Sequence, residues 1–347
     1  MRYKEHTYGK MWLAGLLMVL SSLFTACSND PEDTKEPENA LGMVSFTRSG
    51  DPFTVTEDYS PVSVFLVGEG TDGTQSGRFI YKTNETIWKS SIKVTPSHNY
   101  AIYGYAPSDA VTAEISAQSL TGATLTFTNL PAVSSQDFCF VVGVQQVETT
   151  TETPNPKNIE KIIPLGQFSF TGKAQNENFV NLLMDHVYAA VCFQMTIGTK
   201  YAELRKIKIR KLELQTTKAT ATATVVLVSN TTKESPVQSA TYTDLTGTPS
   251  SAFFFDDTDG LELDATTLTE ATCCFVPTLS NDLTLVTTYD VYDRFDHKIS
   301  ERTATNKLPN LNAARGQRVN LALTIEPTYL YQLTDPDLNN PTITIGN

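Results

Sequence analysis

The side chains that could do chemistry are few and far apart. Four histidines, His6, His98, His186 and His297, are scattered over 347 residues, and none has a second histidine or a cysteine at a zinc-binding interval. Of the five cysteines, Cys139 lies in Phe138-Cys139-Phe140-Val141 and Cys192 in Val191-Cys192-Phe193, both apolar, strand-like settings. Cys273 and Cys274 are adjacent, and neighbours on a strand point to opposite faces, so they cannot share one site. No CxxC pair occurs, and the four are read as free, buried cysteines acting as small hydrophobes. Asp335-Pro336-Asp337-Leu338-Asn339 starts like a calcium loop, but its sixth position is Asn340 and its twelfth Gly346, where the loop needs glycine and a bidentate glutamate. Asp256-Asp257-Thr258-Asp259-Gly260 fails likewise, with Leu261 and Thr267 at those positions; both segments read as polar turns. His186 has only Asp185 as an acidic neighbour and reads as a structural residue at a strand start. The run Arg205-Lys206-Ile207-Lys208-Ile209-Arg210-Lys211 reads as the wet face of a strand, with a charge match to an acidic neighbouring subunit as the alternative. GxSxG, HExxH and phosphate-binding glycine loops are absent. The expectation is no enzyme, no catalytic residue, no metal and no cofactor.

Cys27 is the exception, because its position matters more than its neighbours. Met1 to Lys10 carries Arg2, Lys4 and Lys10 against Glu5, and Met11 to Phe24 is an uncharged apolar run. That run is too short to span a bilayer and fits the core of an export signal over residues 1–26. Leu23-Phe24-Thr25-Ala26-Cys27 then resembles a bacterial lipobox, with Phe24 in place of the usual aliphatic residue. The resemblance implies diacylation of Cys27 and a lipid partner in the outer membrane. Residues 27–40 carry five acidic side chains and no large apolar one between Ser28 and Ala40, the composition of a solvated tether. An acidic tract at this place resembles the surface-export signals of Bacteroidetes lipoproteins.

The elements that must position anything else are strands. Lys+Arg is 26 against Asp+Glu 38, a formal charge of −12, which repels nucleic acid and anionic bilayers. Thr is the excess residue at 50, beside 14 Tyr, and both types suit pleated surfaces. Phe138, Phe140, Val142 and Val144 alternate, as do Val191, Phe193, Met195 and Ile197, and then Val319, Leu321, Leu323 and Ile325. Each set predicts one buried face of a sheet. Ile207 and Ile209 share a parity that Leu212 and Leu214 reverse, predicting a bulge around Arg210-Lys211. Gly172 to Leu183 is the one candidate helix. Roughly 100–200 residues per domain favours two domains, and short strands with turn signals favour all-β sandwiches in tandem. The division falls near 171–185, giving bodies at 41–178 and 179–326. Beyond them, 327–347 continues the alternation through Tyr329, Tyr331 and Leu333 and closes with Ile343 and Ile345. Such a tail either adds to an edge of its own domain or pairs with another chain.

Three stretches taken together point to a family. They are Met43-Val44-Ser45-Phe46-Thr47-Arg48; Leu182-Leu183-Met184-Asp185-His186 running into the strand at 187–197, preceded by Tyr100 to Pro107; and Gly316 to Leu321 continuing through Pro327 to Pro341. In order and spacing the chain resembles the fimbrillin-like lipoproteins of Bacteroidetes, the subunits of type V pili, over nearly its whole mature length. The resemblance implies two transthyretin-like Greek-key β-sandwich domains and a place in a fimbrium at the cell surface. It implies removal of the N-terminal strand by an arginine-directed protease, with Arg48 at the position of the cut and Arg78 as its rival. It also implies that the next pilin subunit fills the vacated groove with its C-terminal segment, for which Tyr329, Tyr331, Leu333, Ile343 and Ile345 are the anchors. The competing function is a surface glycan-binding lipoprotein, whose sugar platform would draw on Trp88, Tyr103 and Tyr105.

Overall fold

In the computed structural model, which describes residues 39–48, 60–147, 164–174, 178–230, 235–247, 250–329 and 336–346, the alternating pattern becomes strands. Seven of them close a ring. In the order β5 (Asn99–Ala106), β2 (Val62–Gly68), β3 (Thr74–Lys82), β4 (Ile87–Lys93), β1 (Ala40–Arg48), β11 (Phe179–His186), β9 (Cys139–Gln146), each is hydrogen-bonded to the next. β9 then returns to β5, with Phe140 opposite Tyr105 and Cys139 opposite Ala106. β5 and β9 diverge at their other ends, where β10 (Ser169–Thr171) pairs with β5 and Val144 N–H donates to Gln167 O beside β9. The barrel so formed is filled by Leu41, Met43, Val64, Phe79, Ile102, Val141, Leu182 and Met184, among others.

One wall of the barrel carries a second layer. A four-stranded sheet runs β15 (Val237–Thr246), β14 (Thr220–Val228), β7 (Gly122–Pro131), β6 (Ala113–Ser116). Between it and the barrel, Tyr103, Tyr105 and Phe140 meet Leu125, Phe127, Val225 and Leu227 in a separate core. β5 therefore sends Tyr100 and Ile102 inward and Ala101, Tyr103 and Tyr105 outward, all buried. Gly104 lies where β5 meets β2: a Cβ there would stand 2.5 Å from Ser63 O, so only glycine fits.

The remaining strands build a sandwich. One sheet is β21 (Pro336–Gly346), β20 (Arg318–Tyr329), β12 (Ala189–Ile197), β17 (Thr269–Phe275), β8 (Val133–Ser134), and the other is β16 (Ser250–Glu262), β13 (Arg205–Thr216), β18 (Thr284–Asp293), β19 (Lys298–Lys307). Val191, Phe193, Leu321 and Leu323 pack against Ile207, Leu212, Leu285 and Tyr289. The bulge expected near Arg210 is present, since Ile209 pairs with Tyr289 and Lys211 with Thr288. Arg210 is the extra residue, and it restores Leu212 and Leu214 to the face of Ile207 and Ile209.

Three expectations need correcting. The candidate helix at 172–183 is not one: Phe179 onward is β11, and the α-helix among the described residues is Thr199–Ala202. Val180, Leu182 and Met184 alternate into the barrel core, and that period of two outweighs weak helical spacing. Val144 does not share a face with Phe138, Phe140 and Val142, because β9 bulges at Val142: Leu183 pairs with Gly143 and Met184 with Val141. Val144 is thereby turned into the barrel. Finally, the division at 178/179 does not follow the sheets. β11 belongs to the barrel, and hairpin β14–β15 from the second half covers the barrel wall by pairing Val225 with Leu125 and Thr224 with Thr126 of β7. β8 makes the reverse crossing, pairing Val133 with Phe275. Apolar area decides this: a wall carrying Tyr103 and Phe140 outward is stable only when something covers it.

A fragment ending at His186 keeps β6 and β7 but lacks β14 and β15, half of that cover. It is expected to bind a hydrophobic dye strongly and to unfold without a cooperative transition in urea, whereas the full chain unfolds cooperatively; a cooperative fragment would contradict the shared layer.

Candidate functional site

β1 is the stave on which any strand-exchange chemistry would turn. It is an inner strand, antiparallel to β4 through Met43 and Trp88, and parallel to β11 from Gly42 opposite Phe179 to Arg48 opposite Met184. Leu41 and Met43 are fully buried. Ser90 Oγ donates to Leu41 O at 2.7 Å, Ser45 Oγ donates to Asn181 Oδ1 at 2.8 Å, and Gly42 N–H donates to Asn178 O at 2.8 Å. The Phe179 ring lies across Gly42, 2.5 Å from where a Cβ would be, so a larger residue there has to displace that ring. Phe46 meets the edge of the Trp88 ring at 5.8 Å between centroids. Arg48 is the last residue of β1, so a cut after it would release the whole stave. Arg78, the rival, lies in mid-β3 opposite Ser63 of β2, with its Nε donating to Ser108 Oγ at 3.0 Å. A residue inside a paired ladder is a poor protease substrate.

The tail belongs to a different sheet from β1. β21 is the edge strand of its sheet, pairing Ile343 with Ile325 and Ile345 with Leu323 of β20. Ile343 is buried in the sandwich core and Ile345 packs on it half-buried. Asn306 Nδ2 donates to Ile343 O at 3.3 Å from the opposite sheet. Pro327 stands opposite Pro341, and the register shifts just beyond; with no N–H on either residue, the ladder is interrupted there. Tyr329 ends β20 opposite Pro336. Tyr331, Leu333 and Cys27 lie outside the described residues.

A buried polar centre sits at the foot of β9 and β11, and no sequence signal marked it. His186 Nδ1 lies 2.7 Å from Asp137 Oδ2 and 3.7 Å from Cys139 Sγ, and Cys139 Sγ lies 3.2 Å from Asp137 Oδ2. All three residues are buried, so His186 has companions after all, brought from 47 and 49 positions away. These are ligand types that could hold a metal, and their atoms lie within 4.8 Å of one another. The spacing argues for hydrogen bonds instead. Two ligands each about 2.0–2.1 Å from a tetrahedral zinc stand roughly 3.3 Å apart, and the 2.7 Å between Nδ1 and Oδ2 is a hydrogen-bond distance. Arg315 closes the centre: its Nη1 donates to Asp185 Oδ2 at 2.6 Å and to His186 O at 2.7 Å. The guanidinium lies 5.3 Å from the centre of the Phe140 ring, tying the sandwich to the barrel.

Other sequence readings resolve plainly. Cys139, Cys192, Cys273 and Cys274 are buried thiols that form no disulfide, and Cys273 and Cys274 enter different cores. Of the basic run, Lys206 pairs with Asp296, Lys208 with Glu262, Arg210 with Asp290 and Lys211 with Asp256, all in neighbouring strands or turns of the same sheet. The aromatic sugar platform is not available. Tyr103, Tyr105 and Trp88 are core residues, and burial pushes the Tyr103 phenol well above its usual range.

No family model matches the chain, and no curated protein matches it. Solved structures do. A candidate cell adhesion protein from Bacteroides fragilis shares 10% identity over 89% of this chain and 97% of its own, with a TM-score of 0.43. A fimbrial protein from Bacteroides vulgatus shares 13% over 89% and 98%, TM-score 0.33. A fimbrial anchor protein from Porphyromonas gingivalis shares 10% over 89% and 97%, TM-score 0.28. The structural neighbours are thus Bacteroidetes adhesion and fimbrial proteins. At these scores they carry no argument about what this chain does.

The buried centre gives a stability prediction. His186→Ala leaves the Asp137 carboxylate without its imidazole partner, and breaking a buried pair in this way costs about 3–5 kcal/mol. The urea midpoint of the full chain should fall accordingly, while Lys206→Ala, at an exposed pair, should leave it close to the wild-type value.

Proposed function

We propose that the chain is a structural and adhesive subunit of a type V-like fimbria, exported as a lipoprotein on Cys27 and assembled by strand exchange after removal of β1. The observation that carries this reading is the place of β1: an inner stave, paired on both sides, ending at Arg48. Cutting there removes two ladders' worth of backbone partners and uncovers the surfaces that Leu41 and Met43 covered. The vacancy lies between β4 and β11, lined by the interior that Val180, Leu182 and Met184 help to fill. A β-strand from another chain restores both the ladder and the burial, each buried Ile or Leu contributing roughly 1.5–3 kcal/mol. The tail is suited to supply it. β21 lies at an edge, its ladder is interrupted at Pro341, and its apolar side chains Ile343 and Ile345 alternate as a strand in a groove requires. Donation by each subunit to the next is head-to-tail and does not close, which makes a filament. On this reading the partners are other pilin subunits, an arginine-directed protease and, before processing, the outer-membrane lipid. The chemistry is mechanical rather than catalytic.

Treatment of the full chain with an arginine-specific protease should release the N-terminal segment and produce ladders that survive SDS. Arg48→Ala should abolish both cut and ladder, Arg78→Ala neither. Truncation after Asn340 should leave the cut and abolish the ladder. Cleavage of wild-type protein with no ladder under any condition would refute strand exchange.

A further inference from the structure

A groove of about 540 Å³ opens where β5 and β9 part around β10. Its far rim comes from the covering sheet, where Thr121 precedes β7 and Ser229 follows β14, joined by Ser229 N–H donating to Thr121 O at 2.6 Å. We propose that this groove binds a neutral oligosaccharide. The inference deepens the adhesive part of the proposed function by naming a ligand class and a place for it, and it is independent of strand exchange.

The lining chemistry points to this ligand. Asn99, Gln146 and Gln167 present carboxamides, and Ser169, Thr171 and Ser229 present hydroxyls. Each such group can both donate and accept, as the vicinal hydroxyls of a sugar require. Leu120, half-buried, contributes apolar surface for the C–H face of a pyranose ring, and the volume lies within the range of small-ligand clefts. None of the lining residues is charged. Phosphate, sulfate and carboxylate ligands therefore find no cation, and Glu69 stands behind Asn99 to oppose them, its Oε2 accepting from Asn99 Nδ2 at 2.7 Å.

The groove is also braced. Gln146 Nε2 donates to Thr171 O at 2.9 Å, Thr171 Oγ1 donates to Asn99 Oδ1 at 3.0 Å, and Ser229 Oγ donates to Gly166 O at 3.1 Å. These bonds hold the amides and hydroxyls across three strands before a ligand arrives, which lowers the ordering cost of binding. Gln167 and Ser169, like Asn99 and Thr171, are exposed in the groove and are side chains a ligand would meet.

The test is calorimetric titration of the mature full-length chain with neutral trisaccharides (mannotriose, maltotriose, cellotriose and triacetylchitotriose), with 3′-sialyllactose as the anionic probe. At least one neutral trisaccharide should bind and 3′-sialyllactose should not. Gln167→Ala should weaken that binding about fivefold or more, the worth of one hydrogen bond. Ser169→Trp, which fills the groove from an exposed edge position, should abolish it while leaving the urea midpoint and the protease-induced SDS ladder unchanged. Silence with all four neutral sugars, equal binding of 3′-sialyllactose, or undiminished binding by Ser169→Trp would each overturn the inference. Because the ladder is read separately, a failed groove leaves assembly standing, and a failed ladder leaves the groove standing.

Discussion

β5 has no wet face, and the rest of the molecule is arranged around that constraint. Tyr100 and Ile102 fill the barrel while Tyr103 and Tyr105 fill the layer outside it, so the strand can exist only as a wall between two dry spaces. Its partner β9 has the same character, with Cys139 and Val141 on one side and Phe140 and Val142 on the other. Burying aromatic residues on both faces contributes more than a half-exposed strand can. It also commits the chain to supplying a ring on one side and a covering sheet on the other.

The cover comes from far along the sequence. β7 and β6 follow β5 closely, but β14 and β15 belong to the half of the chain that otherwise builds the sandwich. In return β8 extends a sandwich sheet, and Arg315 reaches across to Asp185 and the carbonyl of His186. The two bodies are knitted by exchanged strands and a buried polar centre rather than joined by a linker. The outer layer that covers the barrel wall makes no strand pairing with β1, so the cover does not depend on that stave.

Local rules were readable in the sequence, and long-range ones were not. The parity switch at Arg210 was legible because a bulge is a defect in period 2, and period 2 is written residue by residue. The opposite fates of Cys273 and Cys274 follow from the same alternation. The bulge at Val142 hid because every residue from Phe138 to Val142 is apolar or small enough to suit either face, so the reversal left no trace in polarity. The grouping of Asp137, Cys139 and His186 is set by the pairing of β9 with β11, and nothing near His186 in sequence reports on it. The crossing of β14–β15 was invisible for the same reason: a strand's pattern says that it has a dry face, not which wall that face will meet. The polar groove is a junction of five separate segments, none of which reports on the others in sequence.

The exchanged hairpin sets a clock on biogenesis. A chain is made from its N-terminus, and β5 and β9 are complete long before Thr246 has emerged. In that interval Tyr103 and Phe140 have no cover from β14, and the nascent barrel presents an aromatic surface to whatever surrounds it. Folding cannot finish one half at a time, so the polypeptide stays unsettled until most of it is available. Late closure keeps the chain open until Thr246 is available, and the same hairpin then locks barrel and sandwich together.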